Sequence, residues 1–129
     1  MNRLWIAAAG LGGFASVVLG AAGRHLASDA APLDIAARYV MYHSLALLIV
    51  GLLERDGPGR DKAGTALRLA GWCFLGGMIA FAGGLIALAA TGSAAAGATT
   101  PIGGGLFMVG WLALALHGWH RVPRSTQQE

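Results

Sequence analysis

Few residues in this 129-residue chain are able to do chemistry. Four histidines, one cysteine and six carboxylates are the whole supply of metal ligands, nucleophiles and strong bases. His43 is the most informative of them. It follows Arg38 by five residues, about 7.5 Å along a helix axis. On a helix it shares a face with Tyr39 at i−4 and Leu47 at i+4. His25 stands beside Arg24. A short connection between their helices would gather His25, Arg24, Tyr39, Tyr42 and His43 at one mouth. The chemistry there would be that of a small polar site for a metal, a haem or a lipid headgroup. The competing reading is a helix–helix hydrogen bond from His43 to a tyrosine or a carbonyl, because buried polar groups find partners to avoid desolvation. Two histidines fall short of the four ligands of a closed zinc site.

The other candidates are weaker. His117 and His120 are spaced i, i+3. They either ligate a metal from one helix face or complement a helix C-terminus beside Trp119. Ser16 and Ser44 have no evident base and acid beside them, and their hydroxyls are expected to bond back to the backbone. Cys73 reads as a small hydrophobe. Gly103-Gly104-Gly105 has no following lysine and is not a phosphate loop.

Whatever these residues do, they do it in a membrane. Hydrophobic residues make up 56% of the chain and charged ones 12%, against about 25% charged in a soluble domain. Disorder and a disulfide framework are both excluded. A bilayer core takes a helix of about 20 apolar residues. Four stretches qualify, at about 4–23, 35–53, 69–91 and 101–119, followed by a short polar tail at 120–129. The expectation is an all-α integral membrane protein, a single domain built as a four-transmembrane-helix bundle. The second stretch is shortest in its uncharged part, with Arg38 near its start, able to snorkel outward. The first stretch also has the outline of a signal peptide. Its apolar run is too long for one and no clear cleavage site follows, so it is read as a retained span.

The breaks between spans are chemically explicit. Asp56-Gly57-Pro58-Gly59-Arg60-Asp61 is a charged turn. Asp34, after Pro32, is expected to cap the second helix. Thr100-Pro101 reads as a helix start, with threonine capping the free amides. Four spans leave both termini on one side. That side holds Arg3, Arg55, Arg60, Lys62, Arg68, Arg121 and Arg124, and the other only Arg24 and Arg38. The positive-inside rule puts both termini in the cytoplasm. Trp5, Trp72 and Trp119 are expected at the inner interface and Tyr39 and Tyr42 near the outer one.

Burial does not drive helix association in lipid, so small residues at helical spacing mark the packing seams. Gly12, Ser16 and Gly20 form one such stripe, and Gly76, Ala80 and Gly84 another.

At these residues the chain becomes recognisable. Leu19-Gly20-Ala21-Ala22-Gly23-Arg24-His25 closes the first span. Tyr39 to Ala46 carries Tyr42, His43 and Leu45 in a fixed register. Thr100-Pro101-Ile102-Gly103-Gly104 opens the last span, and Gly110-Trp111 follows. Together these segments resemble the YgdD-like family of small membrane proteins, catalogued as domain of unknown function 423, of which human transmembrane protein 256 is a distant relative. The resemblance implies the four-helix architecture and the inner-membrane location, adds weight to His25 and His43, and implies no reaction. Two departures stand out. Phe81-Ala82-Gly83-Gly84-Leu85-Ile86 lacks the serines and tyrosine of the family's Phe-Ser-Gly-Ser-Leu-Tyr segment, and Arg24 replaces a small residue.

No carboxylate lies inside a span, which weighs against an ion-coupled transporter and paired-carboxylate catalysis. The first expectation is therefore a protein that is not an enzyme: an accessory, scaffold or lipid-interacting subunit with no cofactor and no metal. Its partners are the lipid bilayer and either a homo-oligomer or a larger membrane complex, with no nucleic acid. One alternative is a small-molecule carrier or channel acting as an oligomer. Another is a haem- or metal-binding redox subunit that uses His25 and His43.

Overall fold

A computed structural model describes residues 2–25, 29–56 and 62–121. Residues 57–61 of the charged turn, with Arg60, lie outside the described residues. So do residues 26–28 of the first connection and the tail beyond residue 121, with Arg124.

Four helices make up the molecule: α1 (Asn2–His25), α2 (Ala31–Leu53), α3 (Lys62–Thr91) and α4 (Thr100–Arg121). All four stretches are long and apolar enough to cross a membrane. Each helix packs mainly on its neighbours in sequence, α1 on α2, α2 on α3 and α3 on α4. α1 also reaches α3 through Trp5, whose ring lies 2.9 Å from where a Cβ on Gly71 would stand. The core is a continuous column that includes Trp5, Leu47, Val50, Leu67 and Phe74, all fully buried. Leu11, Phe14 and Val17 on α1 and Ile102, Met108 and Leu112 on α4 point outward. A hydrocarbon solvent accepts such faces, provided the backbone is satisfied within each helix.

The helix ends depart from expectation in two places. α2 starts at Ala31, and the carboxylate that serves its first turn is Asp29, whose Oδ1 accepts a bond from the Ala31 amide at 3.0 Å. Asp34 lies inside the first turn instead, where its own amide is already bonded to Ala30 O. At α4, a 3₁₀ turn (Ala94–Thr99) runs straight into the helix. Thr100 therefore already has helical φ and ψ of −58° and −47°. A capping residue needs extended backbone to fold its hydroxyl back on the amides. The Thr100 hydroxyl caps nothing and is buried without a partner against Gly84. The C-terminal end of α3 is closed by Gly92 at φ +66°, whose amide bonds Leu88 O at 2.8 Å. A side chain there would strain the left-handed turn that this bond requires.

Trp5 is a third correction. It is not an interfacial anchor but a core residue with no exposed surface, edge-on to Trp72 at 5.1 Å. Trp119, by contrast, is largely exposed near the end of α4.

The two small-residue stripes face different partners. Gly12, Ser16 and Gly20 all face α2. Gly12 lies against Ser44, Gly20 near the Ala37 methyl, and Ser16 Oγ donates to Ala37 O at 2.8 Å. Gly76 and Gly84 face α4 and the start of that helix, and Thr99 Oγ1 donates to Ala80 O at 3.0 Å. Other glycines meet rings and backbone. Cβ atoms on Gly77 and Gly110 would each come within 2.6 Å of the Phe107 and Phe74 rings, and one on Gly103 within 2.7 Å of the Phe81 Cα.

Candidate functional site

His43 sits deep in the bundle. It lies twelve residues into α2 from Ala31, about 18 Å along the axis and near mid-span. Its ring is buried and both nitrogens are engaged. The first, Nδ1, lies 2.7 Å from Tyr39 O, one turn back on the same helix. The second, Nε2, lies 3.3 Å from the indole Nε1 of Trp111 on α4. An indole N–H only donates and a carbonyl only accepts. His43 must therefore donate through Nδ1 and accept through Nε2, which is the neutral Nδ1–H tautomer. In this arrangement neither nitrogen is left free for a metal or a haem iron.

Aromatic rings hold that geometry. Phe107 stacks on the imidazole with centroids 3.5 Å apart and planes within 9°. Phe74 packs tilted beneath it at 5.7 Å and edge-on to Trp111 at 5.2 Å. Tyr39 stacks on Phe81 at 4.8 Å. The rings come from three helices, and the glycines described above let two of them in: Gly77 receives Phe107 and Gly110 receives Phe74. Sequence reasoning singled out Gly110-Trp111 as a motif, but it missed Trp111 as the histidine's partner. It missed Phe74 and Phe107 as well. The available signal was the i, i+4 recurrence of Phe107 and Trp111, which puts both on one face of α4.

Two cavities flank this cluster. The larger, about 650 Å³, is a groove between α2 and α4. Tyr39, Tyr42 and His43 line one side, Phe81 contributes from α3, and Gly104, Gly105, Phe107 and Trp111 line the other. A Cβ on Gly104 or Gly105 would meet nothing within 4 Å, so these glycines leave the groove open rather than bring helices together. The smaller cavity, about 330 Å³, lies between the C-terminal half of α1 and the N-terminal half of α2, with Ser16, Arg24, Asp34, Arg38, Met41 and Tyr42 around it. Tyr42 lines both.

The expected mouth is thus divided. Arg24 and Tyr42 meet at the smaller cavity, and Tyr39, Tyr42 and His43 at the larger. His25 is exposed at the end of α1 and lines neither. Helix geometry explains the division: His25 and His43 stand at opposite ends of an axial rise of about 18 Å. His117 and His120 also part. His117 Nδ1 is 2.8 Å from Ala63 O in the first turn of α3, so it serves a neighbouring helix and not its own C-terminus. His120 is exposed. No cluster of three or more potential metal ligands stands among the described residues. Of the family motif, Gly103 packs on Phe81, Pro101 and Gly104 line the groove, and Thr100 abuts Gly84.

Comparison with known proteins matches a family described as a protein of unknown function (DUF423) over residues 19–104. That stretch contains the α2 half of the groove and the opening of α4. The UPF0382 membrane protein of Staphylococcus epidermidis is 41% identical over 81 residues, covering 63% of this chain and 62% of its own length. The chain thus spans less than two thirds of the staphylococcal relatives it matches. That of Haemophilus influenzae is 35% identical over 121 residues, covering 89% of this chain and 93% of its own. The UPF0382 membrane protein YwdK of Bacillus subtilis is 34% identical over 79 residues, 61% of each chain. No solved structure matches. Four membrane-length helices, the Thr100–Gly104 segment at the mouth of the groove and the extent of these matches lead to one assignment: the chain is a multi-pass membrane protein and belongs to the DUF423 family.

Proposed function

We propose that the protein is a non-catalytic, lipid-interacting component of the bacterial inner membrane, an accessory or scaffold subunit with both termini in the cytoplasm. One observation carries this reading: His43, the one side chain lining the groove with a basic nitrogen, has both nitrogens committed to structural hydrogen bonds. A general base or an axial ligand needs a free lone pair. What remains is a groove of aromatic rings and open glycines, a shape that takes an acyl chain. The volume falls in the usual range of ligand sites, about 300–1,000 Å³.

Native mass spectrometry of the protein released from lipid particles, with an absorption spectrum of the same sample, tests the reading. The expected result is a chain carrying lipid, with no visible band, that carries less lipid in Gly104→Leu. A stoichiometric chromophore lost in His43→Ala would overturn it in favour of a redox subunit. Reporter fusions at each terminus test the topology, with cytoplasmic signal expected from both.

A second reading, an oligomeric carrier, is favoured by α1. Gly10 and Gly13 have no neighbour within 4 Å of an added Cβ. Glycine inside a helix costs about 1 kcal/mol relative to alanine, and a second copy packed on that face would offset the cost. A fixed oligomeric mass that survives delipidation supports this reading over the first.

A further inference from the structure

We infer that the two cavities form one binding site for a single anionic phospholipid, with its phosphate between Arg24 and Arg38 and an acyl chain in the aromatic groove. The inference rests on the lipid-interacting reading above and gives it a headgroup. Charge comes first. Arg24 ends α1 and Arg38 lies in the second turn of α2, and both border the 330 Å³ cavity. Asp34 is the one carboxylate there, so the cavity carries a formal excess of one positive charge. Neither guanidinium forms an ion pair among the described residues. Among the described residues these two are the only arginines at this end of the bundle, while Arg3, Arg55, Lys62 and Arg68 lie toward the other.

Continuity comes second. Tyr42 projects from α2 between Arg38, one turn before it, and Tyr39, and it lines both cavities. A molecule anchored at the arginines therefore has a path over Tyr42 into the groove. The groove runs from the level of Pro101 to that of Trp111, a rise of about 15 Å. A guanidinium binds phosphate by a charge-assisted, frequently bidentate bond. The groove offers rings and no charge. One end suits a phosphodiester and the other a hydrocarbon tail, which is the polarity of a lipid and not of a soluble anion.

Trp111 is a built-in reporter for the groove. The protein would be reconstituted in phosphatidylcholine vesicles containing a minor fraction of either brominated phosphatidylglycerol or brominated phosphatidylcholine. Bromine quenches indole on contact, and subtracting the Trp111→Phe signal isolates Trp111. The expected result is preferential quenching by the anionic lipid by about fivefold or more, the scale of one basic residue facing an anionic surface. The preference should vanish in Arg24→Gln/Arg38→Gln, whose exposed side chains leave the helical circular dichroism unchanged. Equal quenching by both lipids in the wild type would overturn the headgroup assignment and leave the groove as a lipid site. A preference that persists without the arginines would overturn their role. No Trp111 quenching by either lipid would overturn this inference and the lipid-interacting reading together.

Discussion

The α1–α2 and α3–α4 seams are both built on glycine, yet they use it differently. In the α1–α2 seam small meets small. Gly12 opposes Ser44, Gly20 opposes Ala37, and Ser16 adds a hydroxyl bond to the Ala37 carbonyl. In the α3–α4 seam glycine meets aromatic. Gly77 and Gly110 each receive a phenylalanine ring, and Gly103 lies on the Phe81 backbone. The first arrangement brings two helix backbones together, where dispersion and a few hydrogen bonds hold them. The second makes room for large rings that fix the orientation of a buried imidazole. Small residues in a membrane helix therefore mark either a close approach or a socket, and only the opposing residue tells which.

The largest test of this contrast is Gly103→Val. Its Cβ would meet the Phe81 backbone, which cannot rotate away, and overpacking of this kind costs about 3 kcal/mol or more. Loss of folded protein, or a correspondingly lower unfolding midpoint in detergent, is expected. Gly12→Ala should be milder, about 1–2 kcal/mol, because the obstruction is a rotatable hydroxyl on Ser44. The double variant Gly12→Ala/Ser44→Ala should recover most of the loss, and failure to do so would mean that backbone is what obstructs.

The next effect is smaller. Trp111→Phe keeps a ring in place but removes the donor to His43 Nε2. Hydrogen bonds between membrane helices average about 0.6 kcal/mol, with somewhat more expected here because a buried acceptor is left unpaired. Ser16→Ala should cost about the same average value, read by the same unfolding assay. Gly13→Ala should run in the opposite direction. With nothing near the added methyl, helix propensity alone predicts a gain of up to about 1 kcal/mol. A loss, or a change in oligomeric mass, would place a second copy on α1.

The four helices and both stripes could be read from the chain because apolar length and i, i+4 recurrence are local properties. Which way Trp5 turns is not local. Its burial depends on Gly51 and Gly71, two helices that no spacing rule joins to it. The same holds for His43. Its bond to Tyr39 O is within reach of a helical wheel, but its bond to Trp111 spans 68 positions and follows from how α4 lies on α3. The caps failed for a different reason. Asp29 and Asp34 are both plausible by residue type, and only the place where the backbone turns helical, at Ala30, chooses between them. For the site, sequence grouped Tyr39, Tyr42 and His43 with His25 and Arg24, and of that group only the first three line the groove, because an axial rise of about 18 Å separates His43 from the start of α2.

Two side-chain bonds to carbonyls cross between the arms of the α3–α4 hairpin among the described residues, one toward each end. Toward the turn Thr99 Oγ1 holds Ala80 O, and at the open end His117 holds Ala63 O. Together they work as a vernier. A slip of α4 along α3 by one turn, about 5.4 Å, would break both bonds at once and drive Phe107 and Phe74 out of their glycine sockets. The hairpin therefore has one register and no neighbouring one to fall into. The ring stack over His43 inherits that precision from contacts lying well above and below it.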